Sequence, residues 1–258
     1  MSFTMNNIYN CDCVEGMRNL PDECIDLTVT SPPYDTLRKY NGFEFDFPST
    51  VKELFRITKK GGVVVWVVDD RTKKGDEQGI PFRQCLYFKE CGFTLHDTMI
   101  WTKDGGGAVG SEYTYKQNFE YMFVFSKGRP KTINLLFDKV NKSYGVDKSG
   151  SGRRRRNGEI RKEIRQPSRP FSKRNNWWYI PPQRGGKHPA VFPEQLAQDH
   201  ILTWSNEGDV VLDPFAGSGT TAKMALVNNR NYIGFEISKE YCELANERVN
   251  DVQLCLKA

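Results

Sequence analysis

A doubly wound α/β sheet with a circularly permuted strand order is what this sequence predicts, and three features predict it. First, Val210-Val211-Leu212-Asp213-Pro214-Phe215-Ala216-Gly217-Ser218-Gly219-Thr220-Thr221 runs an apolar strand into a glycine-rich turn, and a helix over 220–226 follows. Second, Asn231-Tyr232-Ile233-Gly234-Phe235-Glu236 reads as the next strand and ends in an acid 23 residues after Asp213. Glycines there let backbone approach a ligand, the helix N-terminus offers N–H groups, and an acid at the second strand tip suits ribose hydroxyls. Third, only one helix follows Glu236 in this sequence, while a suitable third strand opens it at Ile8. The N-terminal strand is therefore expected beside the Glu236 strand, with Asp12 and Cys13 at its tip.

The other elements follow in order. Ile8 to Asp12 reads as a strand, Cys13 to Leu20 as a short helix, and Ile25 to Val29 as a strand dense in β-branched residues. The aromatics between Tyr40 and Pro48, broken by polar residues, suggest a loop over the site. A helix over 49–58 would take Ser49 or Thr50 as its N-cap. Val63 to Val68 is continuously apolar, as a central parallel strand covered on both faces should be. Ile80 to Glu90 suits a helix. Thr94 to Trp101 and Phe119 to Phe125 suit two more strands, paired across the Gly105-Gly106-Gly107 loop. Trp177 to Pro182 returns the chain to the compact body. Helices over 192–205, with Pro193 near the first turn, and over 238–249, packing Tyr241, Leu244 and Val249 inward, complete the chain. The count is a mostly parallel seven-stranded sheet with helices on both faces, divided at 1–130, 131–176 and 177–258.

Composition narrows the class. The 258 residues suffice for one α/β domain with an insertion, and 38% hydrophobic with 27% charged is ordinary for a globular protein. No apolar run approaches a membrane span, and Met1 to Asn7 is too polar for a signal peptide. Seven cysteines without a CxxC, and three scattered histidines, predict reduced thiols in a cytoplasm and no metal site. The net charge of +5 is unevenly spread. Between Lys131 and Arg174 fourteen Lys and Arg face four Asp and Glu, so this segment carries +10 and the rest −5. Its centre is Arg153-Arg154-Arg155-Arg156, which implies a polyanionic partner.

The stretch Thr30-Ser31-Pro32-Pro33-Tyr34 leaves its strand as a stiff loop, because both prolines lack N–H groups and hold φ near −65°. It gathers the Ser31 hydroxyl, the Pro32 carbonyl and the Tyr34 ring. Two acceptors and one aromatic plate suit a flat heterocycle with an exocyclic amine.

Together, Ser31-Pro32-Pro33-Tyr34 and Asp213-Pro214-Phe215-Ala216-Gly217-Ser218-Gly219-Thr220 resemble the motifs of S-adenosylmethionine-dependent DNA amino-methyltransferases. The subgroup resembled has the catalytic motif before the cofactor motif. Lys187-His188-Pro189-Ala190-Val191-Phe192-Pro193 looks like that family's third signature, beside the methionine part of the cofactor. Phe119-Glu120-Tyr121-Met122-Phe123-Val124-Phe125-Ser126-Lys127 is similar to a structural strand of the same fold.

The resemblance implies a circularly permuted, Rossmann-like methyltransferase fold with a basic insertion. It implies S-adenosyl-L-methionine as cofactor, held by Asp213, Pro214, Phe215, Gly217, Ser218, Gly219, Thr220 and Glu236, by Lys187, His188, Pro189 and Phe192, and by Asp12 and Cys13 near the adenine. Catalysis falls to Ser31, Pro32, Pro33 and Tyr34, which draw the amino hydrogens out of plane and stack a base flipped from duplex DNA. Arg153, Arg154, Arg155 and Arg156 would contact phosphates. In that family Ser before the prolines accompanies cytosine N4 methylation more often than adenine N6, so N4 of cytosine is expected first, with N6 of adenine, or an RNA or protein amine, as alternatives. A cognate restriction endonuclease or a solitary role, and a monomer or homodimer, stay open.

Overall fold

The computed structural model describes residues 4–33, 45–103, 114–142, 144–145, 153–154, 156, 160–161, 169–182 and 193–257. They fall into two compact units, Met1–Asn134 with Asn176–Ala258, and Leu135–Asn175.

In the larger unit, apart from a small hairpin pairing Thr72–Lys73 with Asp76–Glu77, the elements are β1 (Asn7–Asn10), α1 (Cys13–Arg18), β2 (Ile25–Thr30), α2 (Phe47–Ile57), β3 (Thr58–Val68), α3 (Ile80–Glu90), β4 (Thr94–Thr102), β5 (Phe119–Ser126), β6 (Trp177–Tyr179), α4 (Glu194–Trp204), β7 (Val210–Asp213), α5 (Thr220–Val227), β8 (Asn231–Glu236) and α6 (Lys239–Lys257). The strands form one mixed sheet, ordered β1-β8-β7-β2-β3-β5-β4-β6. The permutation is realised at its first edge, where β1 pairs in parallel with β8 and Asn10 lies opposite Glu236. From β1 through to β3 every pairing is parallel. β5 then runs antiparallel to both β3 and β4, and helices cover both faces.

Residues 63–68 of β3 are at most 1% exposed, as their apolar run requires, and Trp66 donates its indole N–H to Gln84 of α3 at 2.8 Å. Phe88 of α3 stacks on Phe125 with ring centroids 4.2 Å apart. Burying several such aromatics stabilises this layer by about 1.5–3 kcal/mol each.

Four expectations need correction. Among the described residues the sheet has eight strands rather than seven, because Trp177–Tyr179 adds in parallel to the edge of β4. β3 is parallel to β2 but antiparallel to β5, so it is central without being parallel on both sides. α2 begins at Phe47, not Ser49: Asp46 is the N-cap, accepting from the Ser49 N–H at 3.1 Å, and Pro48 sits in the first turn, where its missing N–H costs no bond. α6 continues to Lys257, with Cys242, Ala245 and Val249 as its buried stripe and Tyr241 and Leu244 only partly covered.

The smaller unit is held at its base by backbone bonds from Arg174 N–H to Leu136 and from Asn141 N–H to Pro170, both 2.9 Å. The Arg174 guanidinium also pairs with Asp138. Lys139–Val140 pairs with Phe171–Ser172, and Arg153–Arg154 with Ile160–Arg161. No helix among the described residues is long and apolar enough to cross a membrane.

Candidate active site

The parallel strands bring their C-terminal ends to one edge of the sheet, where ligands of open α/β folds bind. At that edge Asp213 closes β7, Glu236 closes β8 and Ser31 leaves β2. Asp213 is 3% exposed. Its Oδ1 accepts from the Thr30 hydroxyl at 2.6 Å and from the Phe215 N–H at 3.1 Å. Burial pushes its carboxyl up to about 6, against those bonds. The Thr221 hydroxyl donates to the Val29 carbonyl at 3.1 Å, linking α5 to β2 as Asp213 links β7 to it. Ser31 is half-buried and Pro32 buried; Tyr34 lies outside the described residues.

Between Asp213 and α5 the chain makes its glycine turn. Gly217 and Gly219 adopt φ of 51° and 76°, in the left-handed region that other residues enter at a cost. A Cβ on Gly219 would lie 3.1 Å from the Ala245 Cβ, so the turn is also tightly backed by α6. Pro214 is buried, and the Phe215 ring meets Phe45 edge-on at 5.2 Å.

Glu236 is 8% exposed and holds the turn from the neighbouring strand. Its Oε2 accepts from the Gly217 N–H at 2.8 Å and its Oε1 from the Ser238 N–H at 2.9 Å. Burial raises its carboxyl above the usual range, opposed by these backbone donors. Each oxygen keeps a further lone pair for a hydroxyl.

Asp12 caps α1, its Oδ1 accepting from Val14 N–H at 2.9 Å and Glu15 N–H at 3.0 Å. The Cys13 side chain turns into the core, 3.8 Å from the Thr50 hydroxyl, and burial pushes its thiol up to about 12. Lys187, His188, Pro189, Phe192 and Arg155 lie outside the described residues. Arg156 is exposed, and Arg153 and Arg154 form one arm of their two-residue ladder.

Sequence reasoning missed several residues here. Thr30 shows in the sequence only as the lead-in to Ser31. Arg248 of α6 donates to the Ser218 carbonyl at 3.0 Å, the Ser218 hydroxyl at 3.2 Å and the Thr220 hydroxyl at 3.3 Å. Its only sequence signal is a cation on a helix far from the turn. A polar cluster also sits past the end of β3. Asp69 accepts from Gln117 at 2.5 Å, and Lys103 pairs with Glu120. Burial and the Glu120 charge push the Asp69 carboxyl up to about 6.

At this edge a glycine turn held by Glu236 lies next to the Ser31-Pro32-Pro33 stretch that leaves β2, the two joined by the Thr30–Asp213 bond. A family model described as DNA methylase, for N6 and N4 methyltransferases, matches residues 25–247. The chain belongs to this DNA methylase family. It is 58% identical over 243 residues to the orphan methyltransferase M.BamHII of Bacillus amyloliquefaciens, covering 90% of this chain and 91% of that one. It is 27% identical over 263 residues to the DNA adenine methyltransferase YhdJ of Escherichia coli K12, covering 94% and 82%. Among solved structures it superposes on a DNA modification methylase of Thermus thermophilus, complexed with S-adenosyl-L-methionine, with a TM-score of 0.65 and 27% identity over 95% and 93% of the two chains.

The protein is therefore an S-adenosylmethionine-dependent DNA methyltransferase. Its residues fit that cofactor: two acceptor oxygens on Glu236 suit the two ribose hydroxyls, and the turn that Glu236 holds at Gly217 carries no side chain at its tightest points.

Proposed function

We propose that this enzyme methylates the exocyclic N4 amine of cytosine, extruded from duplex DNA. The observation that carries the reading is the Thr30–Asp213 bond, because it ties the strand end that precedes Ser31 to the start of the glycine turn. Bound S-adenosylmethionine supplies an electrophilic methyl group. The chain's own residues supply orientation. Ser31 Oγ and the Pro32 carbonyl accept the amine hydrogens, which localises the nitrogen lone pair and offsets the positive charge that builds on it. Tyr34 gives the extruded base a stacking surface. No group on the enzyme has to act as a strong base, because the methylated ammonium is itself acidic.

The choice of cytosine rests on Ser31, a neutral hydroxyl before the two prolines. A second reading, N6 of adenine, is favoured by the adenine activity named for the Escherichia coli relative. The basic segment is assigned to phosphate contacts on DNA, on its net charge of +10. A solitary role, without a partner nuclease, is supported by the name orphan borne by the 58% identical relative. Nucleoside digestion and mass spectrometry of DNA methylated by the purified enzyme test the reading. N4-methylcytosine is the expected product; N6-methyladenine alone would replace the first reading by the second, and transfer only to RNA or protein would overturn both.

A further inference from the structure

We infer that Arg248 is a positioning residue for the cofactor turn, locking Ser218 and Thr220 to Glu194 at the head of α4 so that S-adenosylmethionine meets a turn already in place. The inference rests on the reading of residues 217–220 as the cofactor turn.

The turn has an intrinsic weakness. Gly217-Ser218-Gly219 contains two residues free to explore wide regions of backbone space, and α5 receives no side-chain cap from Gly219. A ligand that had to order such a turn would lose affinity by the entropy of ordering it. Arg248 removes that freedom. One of its terminal nitrogens meets the Ser218 carbonyl, the Ser218 hydroxyl and the Thr220 hydroxyl. The other donates to Glu194 Oε1 at 2.5 Å.

The same Glu194 oxygen accepts from Lys223 of α5 at 2.7 Å. Burial would raise the Glu194 carboxyl, but the bonds from Lys223 and Arg248 outweigh it and hold the group below its usual range. Glu194 is thus an ionised hub between α4, α5 and α6. It stands one residue after Pro193, where the segment resembling the third family signature ends. Ala245, three residues before Arg248, is the contact that a side chain at 219 would strike. α6 therefore backs the turn twice, by packing at Ala245 and by hydrogen bonds at Arg248. A planar guanidinium suits this task because its fork reaches two groups at once, which a lysine ammonium does not.

The test is calorimetric titration of the full chain with S-adenosylmethionine, paired with steady-state methylation of duplex DNA. Arg248→Ala is expected to raise the cofactor Kd about tenfold while kcat at saturating cofactor stays within about twofold. Arg248→Lys should recover part of that loss. Glu194→Gln, at a partly exposed site, keeps the guanidinium but weakens its anchor, and is expected to raise Kd about threefold even where Arg248→Ala does not fold. An unchanged Kd in Arg248→Ala and Glu194→Gln, with only a lower melting temperature, would overturn the inference and leave Arg248 as a brace for α6. Glu236→Gln serves as the control. If it weakens cofactor binding while the Arg248 and Glu194 variants do not, the inference alone fails. If it too leaves Kd unchanged, the reading of the turn falls with it.

Discussion

The Thr30 hydroxyl donates a 2.6 Å hydrogen bond to Asp213 Oδ1, joining residues 183 positions apart in sequence. Thr30 ends β2 and precedes the proline loop; Asp213 ends β7 and precedes the glycine turn. Pairing of Leu212 with Thr28 sets the two strands in register, and this side-chain bond carries the register on to the loops. Thr30→Val keeps the shape and removes the donor to a buried acid, which should destabilise the fold by about 1.5–3 kcal/mol. We expect Thr30→Ser to restore most of the loss. Urea unfolding measures the first effect. Methylation kinetics should show kcat/KM falling with it, and an unchanged kcat/KM in Thr30→Val would separate the two motifs.

Asp213 gives the fold a pH dependence with a definite sign. Its carboxyl is raised from 3.8 to about 6 by burial. Below pH 3.8 it is protonated in folded and unfolded chains alike. Between the two values the folded chain binds the extra proton, so this group's contribution to stability falls as pH rises and is lost above about 6. Asp69 titrates in the same window, so the informative quantity is the difference between Asp213→Asn and the parent. In urea titrations without cofactor, that difference should move in favour of Asp213→Asn from pH 4 to 7. A flat difference would mean the carboxyl is not desolvated as the fold implies.

Gly219 is where a side chain costs most at the turn. Ala at φ 76° is strained, and its Cβ would press on Ala245. Gly219→Ala should destabilise by about 1–3 kcal/mol and weaken cofactor binding as the turn shifts. Thermal melts with and without S-adenosylmethionine measure both, and an unaltered ligand-induced shift would place the cofactor elsewhere.

Replacing Arg153 to Arg156 by Ser should leave cofactor binding intact, lower DNA affinity and flatten its dependence on log salt. Fluorescence anisotropy with a short duplex at several salt concentrations reads both. If neither affinity nor slope moves, the run is only a solvated segment.

The legible parts of this molecule were those where local chemistry dictates local structure. Gly217, Gly219 and Glu236 announce themselves because a strand, a glycine turn and a terminal acid lie within one short stretch. The place of β1 beside β8 is legible because a parallel sheet missing its third strand must find one elsewhere. Other features had no local signal. Trp177–Tyr179 is too short to show a period, and only its register with Ile100, Trp101 and Thr102 makes it a strand. The start of α2 was hidden because Asp46-Phe47-Pro48 reads equally as a loop; the bond from the Ser49 N–H decides it. Arg248 stands about thirty residues from Ser218, and only the packing of α6 behind the turn joins them.

Asn134 is tied to the end of α4 by its N–H to the Thr203 carbonyl at 2.8 Å, and Asn176 receives the Ile100 N–H at 2.9 Å. Both residues belong to the larger unit, so the chain is fastened before it departs and again as soon as it returns. Whatever lies between these two fastenings can be exchanged, lengthened or pruned in evolution without relaying a strand of the sheet. A segment of about forty residues can thus be traded while the strands that carry Asp213 and Glu236 keep their register.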